Sequence, residues 1–234
     1  MDPGGVPRLR PSLRSSAPGL GIEREWWGRG AEVIVGLDEV GRGAWAGPLS
    51  VGAAVIPRDR RVYKVRDSKL LTSAERRALV PRLRAWCRAW SVGHASPAEC
   101  DLLGMAAAQR LAAHRALEAL EVEPDVVLVD GNRDFVGRGR VVPVPSGDRT
   151  SLTIATASIL AKEARDELME QLAVDFPAYG FASNKGYPEP RHLAALAAFG
   201  PSTVHRTSWA FVDDLPWGGI RRRRAQRTLF DAPS

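Results

Sequence analysis

Two adjacent acids close an apolar run and lead straight into glycines, in GLDEVGRGAWAGPL (36–49). A buried strand rarely ends in paired carboxylates without a partner, because removing two like charges from water is costly. A divalent cation offsets that cost, and hard cations such as Mg²⁺ prefer carboxylate oxygens. Asp38 and Glu39 are therefore candidate metal ligands. The glycines have a separate reason. Glycine freely adopts positive φ and lets the backbone come close to a ligand, so the Gly41-Arg42-Gly43 turn can aim amide groups at a sugar or a phosphate.

Two further acids stand in comparable places. Asp130 ends VVLVD (126–130), before Gly131-Asn132. In open α/β sheets, ligands gather at the carboxyl ends of strands. Asp148, in PSGDRTSLTIATASILAKEARD, lies just before a long helix, where a carboxylate also complements the positive end of the helix dipole. Taken singly, each has an ordinary alternative. Asp38-Glu39 can be solvated acids in a surface turn, Asp130 a turn-forming Asp-Gly, and Asp148 a helix cap. Their joint pattern and spacing carry the metal reading. His94, His114, His192 and His205 lack an acidic or thiol cluster nearby in sequence and read as packing or surface residues. His205, in VHRTSW, is the best candidate for a structural role near the site.

The elements that must position these residues follow from periodicity. EVIVGL (32–37) and LSVGAAVI (49–56) read as strands forming a hairpin-like pair, with a tight turn over Asp38–Pro48. Residues 73–90 read as a helix capped by Ser73, although the interior Pro81 argues against continuity. A short strand (91–95) and two helices (97–103 and 105–121) follow. VVLVD is a fully apolar strand of the kind found inside a sheet. RVVPV (140–144) reads as an edge strand, because Pro143 lacks a donor. Helices are expected over 151–173 and 189–199. Strands that come first and then alternate with helices predict an α/β layer fold with a mixed sheet. The division expected is a mobile arm (1–27), a single domain (28–214) and a basic tail (215–234).

Composition bounds the rest. The chain has 234 residues, 44% hydrophobic and 26% charged, which suits one packed domain with flanking segments. No apolar stretch is long enough to span a bilayer. The N-terminal MDPGGVPRLRPSLRSS has no apolar core and does not read as a secretory signal. Cys87 and Cys100 match no zinc pattern and read as free thiols of a reducing cytoplasm. The net charge of +6 suggests an anionic partner, but residues 215–234 hold five Arg against one Asp, so the body is nearly neutral.

Specific blocks recur in order: DEVGRG with AWAGPLSVGAAVI, VRDSKLLT (65–72), VVLVDGN (126–132), GDRTSLTIATASILAKEARDELM (147–169), NKGYPEPRHLAAL (184–196) and GPSTVHRTSWAF (200–211). In this combination the chain resembles the bacterial ribonuclease HII family over residues 32–211. The resemblance implies an RNase H-like fold, a mixed β-sheet flanked by helices with a helical C-terminal part. It implies hydrolysis of RNA in RNA–DNA hybrids and at single ribonucleotides embedded in duplex DNA. The expected ends are 5′-phosphate and 3′-hydroxyl, in the service of ribonucleotide and primer removal during replication and repair. Two ions, Mg²⁺ or Mn²⁺, would be held by Asp38, Glu39, Asp130 and Asp148. Gly41, Arg42 and Gly43 would contact the 2′-OH, Tyr187 would pack on the adjacent sugar, and Ser68 and Lys69 would contact a phosphate. The chain departs from the family pattern at Trp45, Arg66, Glu163 and Trp209, away from the inferred ligands. Two other classes stay open at this point: a junction resolvase of the same fold, and a noncatalytic hybrid-binding module.

The tail has two parts. Arg221–Arg224 is either a solvated run or a nonspecific phosphate attractor. Gln226-Arg227-Thr228-Leu229-Phe230 resembles the short peptide by which bacterial replication proteins bind the sliding clamp. Leu229 and Phe230 would enter an apolar pocket, with Gln226 orienting them. The protein is expected to be a cytoplasmic monomer.

Overall fold

A computed structural model describes residues 17–59, 65 and 71–216 of the chain. The five strands are β1 (Ile34–Val40), β2 (Leu49–Val55), β3 (Ala89–Ala95), β4 (Val126–Asp130) and β5 (Val141–Val144). They form one sheet in the order β3-β2-β1-β4-β5. β1–β2 and β2–β3 are antiparallel, whereas β1–β4 and β4–β5 are parallel. The mixed α/β sheet is thus as expected, with β5 and its Pro143 on an edge. β1 runs three residues further than expected, so Asp38 and Glu39 are strand residues and the turn begins after Val40.

Helices cover both faces. On one, α4 (Met105–Ala119) lays Ala108, Ala112 and Ala116 against Val35, Leu37, Val51 and Val129. On the other lies α6 (Leu152–Asp175), the longest helix. A Cβ at Gly52 would meet the Ala157 carbonyl, so glycine in β2 allows α6 to approach this closely. Each fully buried Leu or Val on these faces stabilises the fold by roughly 2 kcal/mol.

Three expectations need correction. The expected arm through residue 27 instead ends in a helix, α1 (Gly21–Gly28), with Leu20 and Glu23 buried. The Glu23 carboxylate accepts from Ser151 Oγ at 2.6 Å and from Thr153 N at 2.9 Å. It thereby satisfies an amide at the start of α6 that lacks an intrahelical partner. The helix expected over 73–90 is α2 (Ser73–Trp86), and β3 begins at Ala89, because Ala89 and Trp90 pair with Val55 and Ala54. Its N-cap is Thr72 rather than Ser73: Thr72 Oγ1 accepts from Glu75 N, and Glu75 accepts in return from Thr72 N. Pro81 lies inside the helix without ending it.

α3 (Pro97–Leu103) precedes α4, and a short helix α5 (Gly147–Thr150) precedes α6. The C-terminal part adds α7 (Phe181–Asn184), α8 (Pro190–Phe199) and two 3₁₀ turns. Met169, Phe181, Leu196 and Phe211 form its own apolar cluster. Among the described residues no helix is long and apolar enough to cross a membrane, and Cys87 and Cys100 are free thiols.

Candidate active site

The sheet register brings the acids together. Leu37 pairs with Val129 in the parallel β1–β4 ladder, so Asp38 and Asp130 follow side by side at the carboxyl ends of the central strands. Successive strand residues face opposite sides. Asp38 shares the α6 side with Gly36 and hydrogen-bonds Ser158 of α6, whereas Glu39 lines a cleft on the α4 side. Asp148 belongs to α5, one turn earlier than the long helix it was expected to precede. Asp130 Oδ1 accepts from Gly147 N at 2.6 Å and from Asp148 N at 3.4 Å, which ties α5 to the end of β4.

Asp38 and Asp148 are buried, while Asp130 and Glu39 are half-buried. Burial pushes the Asp38 carboxyl well above the usual carboxylate range. The negative charges of Asp130, Glu39 and Asp148 push it the same way, and the Ser158 hydrogen bond opposes them. Asp130, Glu39 and Asp148 thus all lie within electrostatic range of Asp38. The four acids are not, however, a finished cage. Among the described residues no three His, Cys, Asp or Glu side chains stand where they could jointly hold an ion. Coulomb repulsion acts over longer distances than a metal–oxygen bond. The donor set, four hard oxygen ligands with one charge buried among like charges, is chemically suited to a divalent cation.

Beside Glu39 and Asp130 opens a cleft of about 350 Å³, edged by Arg42, Arg110, Asn132 and Arg133. Carboxylates and guanidiniums lining one cleft suit a phosphodiester next to a cation. Arg110 and Arg133 carry no local pattern and were not singled out from the sequence.

The glycine turn is built over two buried arginines, also unforeseen. Arg165 of α6 donates to the carbonyls of Pro48 (2.9 Å), Lys185 (2.9 Å) and Ala46 (3.1 Å). Arg206 donates to Gly47 O at 3.1 Å and to Arg42 O at 3.0 Å. Gly41 has a φ of 82°, and a Cβ there would run into the Arg165 guanidinium, so only glycine suits this position. Gly43 is exposed and flanked by the ring of Tyr187, which is itself 36% exposed. The structure therefore brings Gly41, Arg42, Gly43 and Tyr187 together at the acidic end of the sheet. Ser68, Lys69, Arg66 and the tail residues Gln226, Leu229 and Phe230 lie outside the described residues. RDSK was legible as a motif; Arg165 and Arg206 were not, since their acceptors are carbonyls far away in sequence.

Of the departures from the family pattern, Trp45, Glu163 and Trp209 have structural partners. Trp45 stacks on Phe211 with centroids 4.2 Å apart. Glu163 is buried and receives Arg77 Nε at 3.0 Å. The Arg206 guanidinium lies over the Trp209 ring at 5.6 Å.

The family model described as Ribonuclease HII matches residues 35–212. Ribonuclease HII of Streptomyces avermitilis is 50% identical over 198 residues, spanning 84% of this chain and 85% of that one. Among solved structures, the ribonuclease H2 of Pyrococcus horikoshii matches with a TM-score of 0.66 at 26% identity, covering 78% of this chain and 96% of that one. The RNase HII of Archaeoglobus fulgidus, solved in complex with PCNA, matches with a TM-score of 0.65 at 26% identity, covering 76% and 95%.

Proposed function

The chain belongs to the Ribonuclease HII family, and from that premise we propose that it hydrolyses the RNA strand of RNA–DNA hybrids at the acidic end of its sheet. The observation that carries this reading is Asp38, a carboxylate buried among three others at the ends of the central strands. Divalent-metal dependence is a property of the family. Asp38, Glu39, Asp130 and Asp148 would hold the cations, Mg²⁺ or Mn²⁺, that their charge attracts. When bound, a pair of such ions stabilises the charge that develops on the attacking and leaving oxygens of a phosphodiester.

The chain's own residues do the remaining work. Gly41, Arg42 and Gly43 meet the 2′-OH, the group that separates RNA from DNA. Backbone readers held by buried arginines carry no base preference, so cleavage is sequence-tolerant and extends to single ribonucleotides in duplex DNA. Tyr187 packs on the neighbouring sugar, and Arg42, Arg110 and Arg133 hold phosphates along the cleft. Ser68 and Lys69 add a further phosphate contact. The products carry 5′-phosphate and 3′-hydroxyl ends, as removal of ribonucleotides and primers in replication and repair requires. The protein acts as a cytoplasmic monomer.

Cleavage of a duplex with one embedded ribonucleotide tests the site. With Mg²⁺ the wild type is expected to cut at the ribonucleotide, and Asp38→Asn or Asp130→Asn to lose at least about a hundredfold in rate. Full activity in either variant would remove that residue from the site. Cutting of four-way DNA in preference to the ribonucleotide duplex would indicate a resolvase, and metal-independent binding without cutting would indicate a noncatalytic module.

A clamp partner has separate support, since the Archaeoglobus relative was solved with PCNA. We assign clamp tethering to Gln226, Leu229 and Phe230. Deleting residues 226–230 should abolish clamp pull-down and leave cleavage of naked hybrid intact; unchanged pull-down would end the assignment.

A further inference from the structure

Below Tyr187 lies a buried polar chain that the reaction itself does not use. His192 is fully buried and His205 is 3% exposed. His192 Nδ1 lies 2.8 Å from Tyr187 O, and the two Nε2 atoms lie 2.9 Å apart. Ser202 N donates to His205 Nδ1 at 2.9 Å, and Ser202 Oγ lies 2.8 Å from the same nitrogen. Elementary hydrogen-bond chemistry leaves a single proton arrangement. A carbonyl only accepts, so His192 Nδ1 carries a hydrogen. A backbone N–H only donates, so His205 Nδ1 carries none. With both rings neutral, His205 Nε2–H donates to the bare His192 Nε2.

The chain therefore runs one way: Ser202 N–H to His205, His205 to His192, His192 to the carbonyl of Tyr187. A proton added to either ring would set two N–H groups against each other. Burial, which lowers the basicity of both rings, keeps them neutral, and His205 is pushed down to about 3. Tyr179 and Phe181 pack against both rings.

The far end of the chain is anchored to the glycine turn. Ala46 and His205 form an antiparallel bridge, Gly47 N donates to Val204 O at 2.9 Å, and Arg206 N donates to Trp45 O at 2.8 Å. From the other side, Trp45 N donates to Gly186 O at 2.8 Å. Tyr187 thus has its backbone held by its N–H, given to Asn184 O at 2.9 Å, and by its carbonyl, while its ring stays at the surface beside Gly43. We propose that Ser202, His205 and His192 are a positioning relay that sets the Tyr187 ring relative to Gly43, and with it the width of the gap that receives the sugar at the RNA–DNA junction. The inference rests on the reading of Tyr187 as a sugar contact.

Two substitutions at one position separate positioning from packing. In His192→Asn the amide sits where Nδ1 was and keeps the donor to Tyr187 O, losing the link to His205. In His192→Gln the amide sits where Nε2 was and keeps the link to His205, losing the one to Tyr187. Both remove one hydrogen bond, so similar melting temperatures are expected. Displacing a positioned group by about 1 Å can cost on the order of a hundredfold in rate. A smaller shift transmitted through the backbone should lower kcat/KM of His192→Gln on the single-ribonucleotide duplex by about tenfold. His192→Asn should stay within about threefold of wild type on the same scale. The His192→Gln loss should also vanish in a Tyr187→Ala background, as coupled residues require.

Equal losses in the Asn and Gln variants, or a Gln loss that persists undiminished without the tyrosine ring, would overturn the relay while leaving Tyr187 in place. Full activity of Tyr187→Ala alone would overturn the sugar contact, and the relay with it. Should His192→Gln not fold, His205→Gln, which keeps the donor to His192, against His205→Leu, which removes it, makes the same contrast one link upstream. His205→Gln is expected to be the more active, and equality of the two would overturn the proposal.

Discussion

The acidic end of the sheet and the glycine turn beside it both bury charge, and they treat it in opposite ways. Under the turn, Arg165 and Arg206 are fully buried, and carbonyl oxygens satisfy both guanidiniums. The carbonyls offset part of the desolvation of each cation, and Arg165, although pushed down to about 10 by burial, keeps its proton at neutral pH. At the strand ends, Asp38 is buried with three carboxylates as its charged neighbours, and its carboxyl is pushed up accordingly. Asp101 shows that a buried acid need not be left so: it accepts from the backbone and hydroxyl groups of both Thr207 and Ser208. Charge already satisfied by the chain is architecture. Charge left in mutual repulsion is where the proposed cations would be held.

The largest test of this contrast removes an arginine. Arg165→Met leaves three carbonyls without their donor and should cost about 3 kcal/mol in urea unfolding, since each unsatisfied buried group costs about 1–3 kcal/mol. A loss below about 1 kcal/mol would mean that the turn stands without its pin. A smaller effect of opposite sign is expected at the acids. In EDTA, Asp38→Asn removes a buried like charge and should stabilise the protein by about 1 kcal/mol. Mg²⁺ should raise the melting temperature of the wild type and not of the variant. Destabilisation by Asp38→Asn in EDTA would place the carboxylate among the structural charges.

The smallest effect belongs to a charge pair outside both regions. Glu99 pairs with Arg115 at 2.7 Å, and this partner holds its carboxyl down at about 2. A depressed carboxylate stabilises the fold above its unfolded value near 4.5, and that contribution is lost as pH falls toward about 2. Both side chains are partly exposed, so solvent screening limits the pair to about 0.5 kcal/mol. Glu99→Gln should remove that much at pH 7 and clearly less at pH 2, where the carboxyl is partly protonated, measured by urea unfolding at each pH. A change as large as that of Arg165→Met would erase the distinction between screened and buried charge.

Much of the candidate site was legible because its signals are local. An apolar run ending in Asp38-Glu39, a second ending in Asp130, and a glycine within two residues after each are patterns within a few residues. The edge position of β5 followed in the same way from one proline. The N-terminal helix was not legible. Residues 1–25 read as a Pro- and Gly-rich arm, and α1 is short. What holds it is Glu23 against Ser151 and Thr153, well over a hundred residues away. Thr72 displaced Ser73 as the cap of α2 because its box with Glu75 satisfies one backbone donor in each direction.

Side-chain chemistry and strand periodicity are written along the chain, so composition and order alone were enough for a mixed α/β sheet with four acids near strand or helix ends. Which charges would be neutralised was a matter of folding. The carbonyls that satisfy Arg165 and Arg206, the single proton order of His205 and His192, and the electrostatic crowding of Asp38 all depend on segments that meet in space. A residue's type states what it can donate or accept; its partner is named only when the backbone has closed around it.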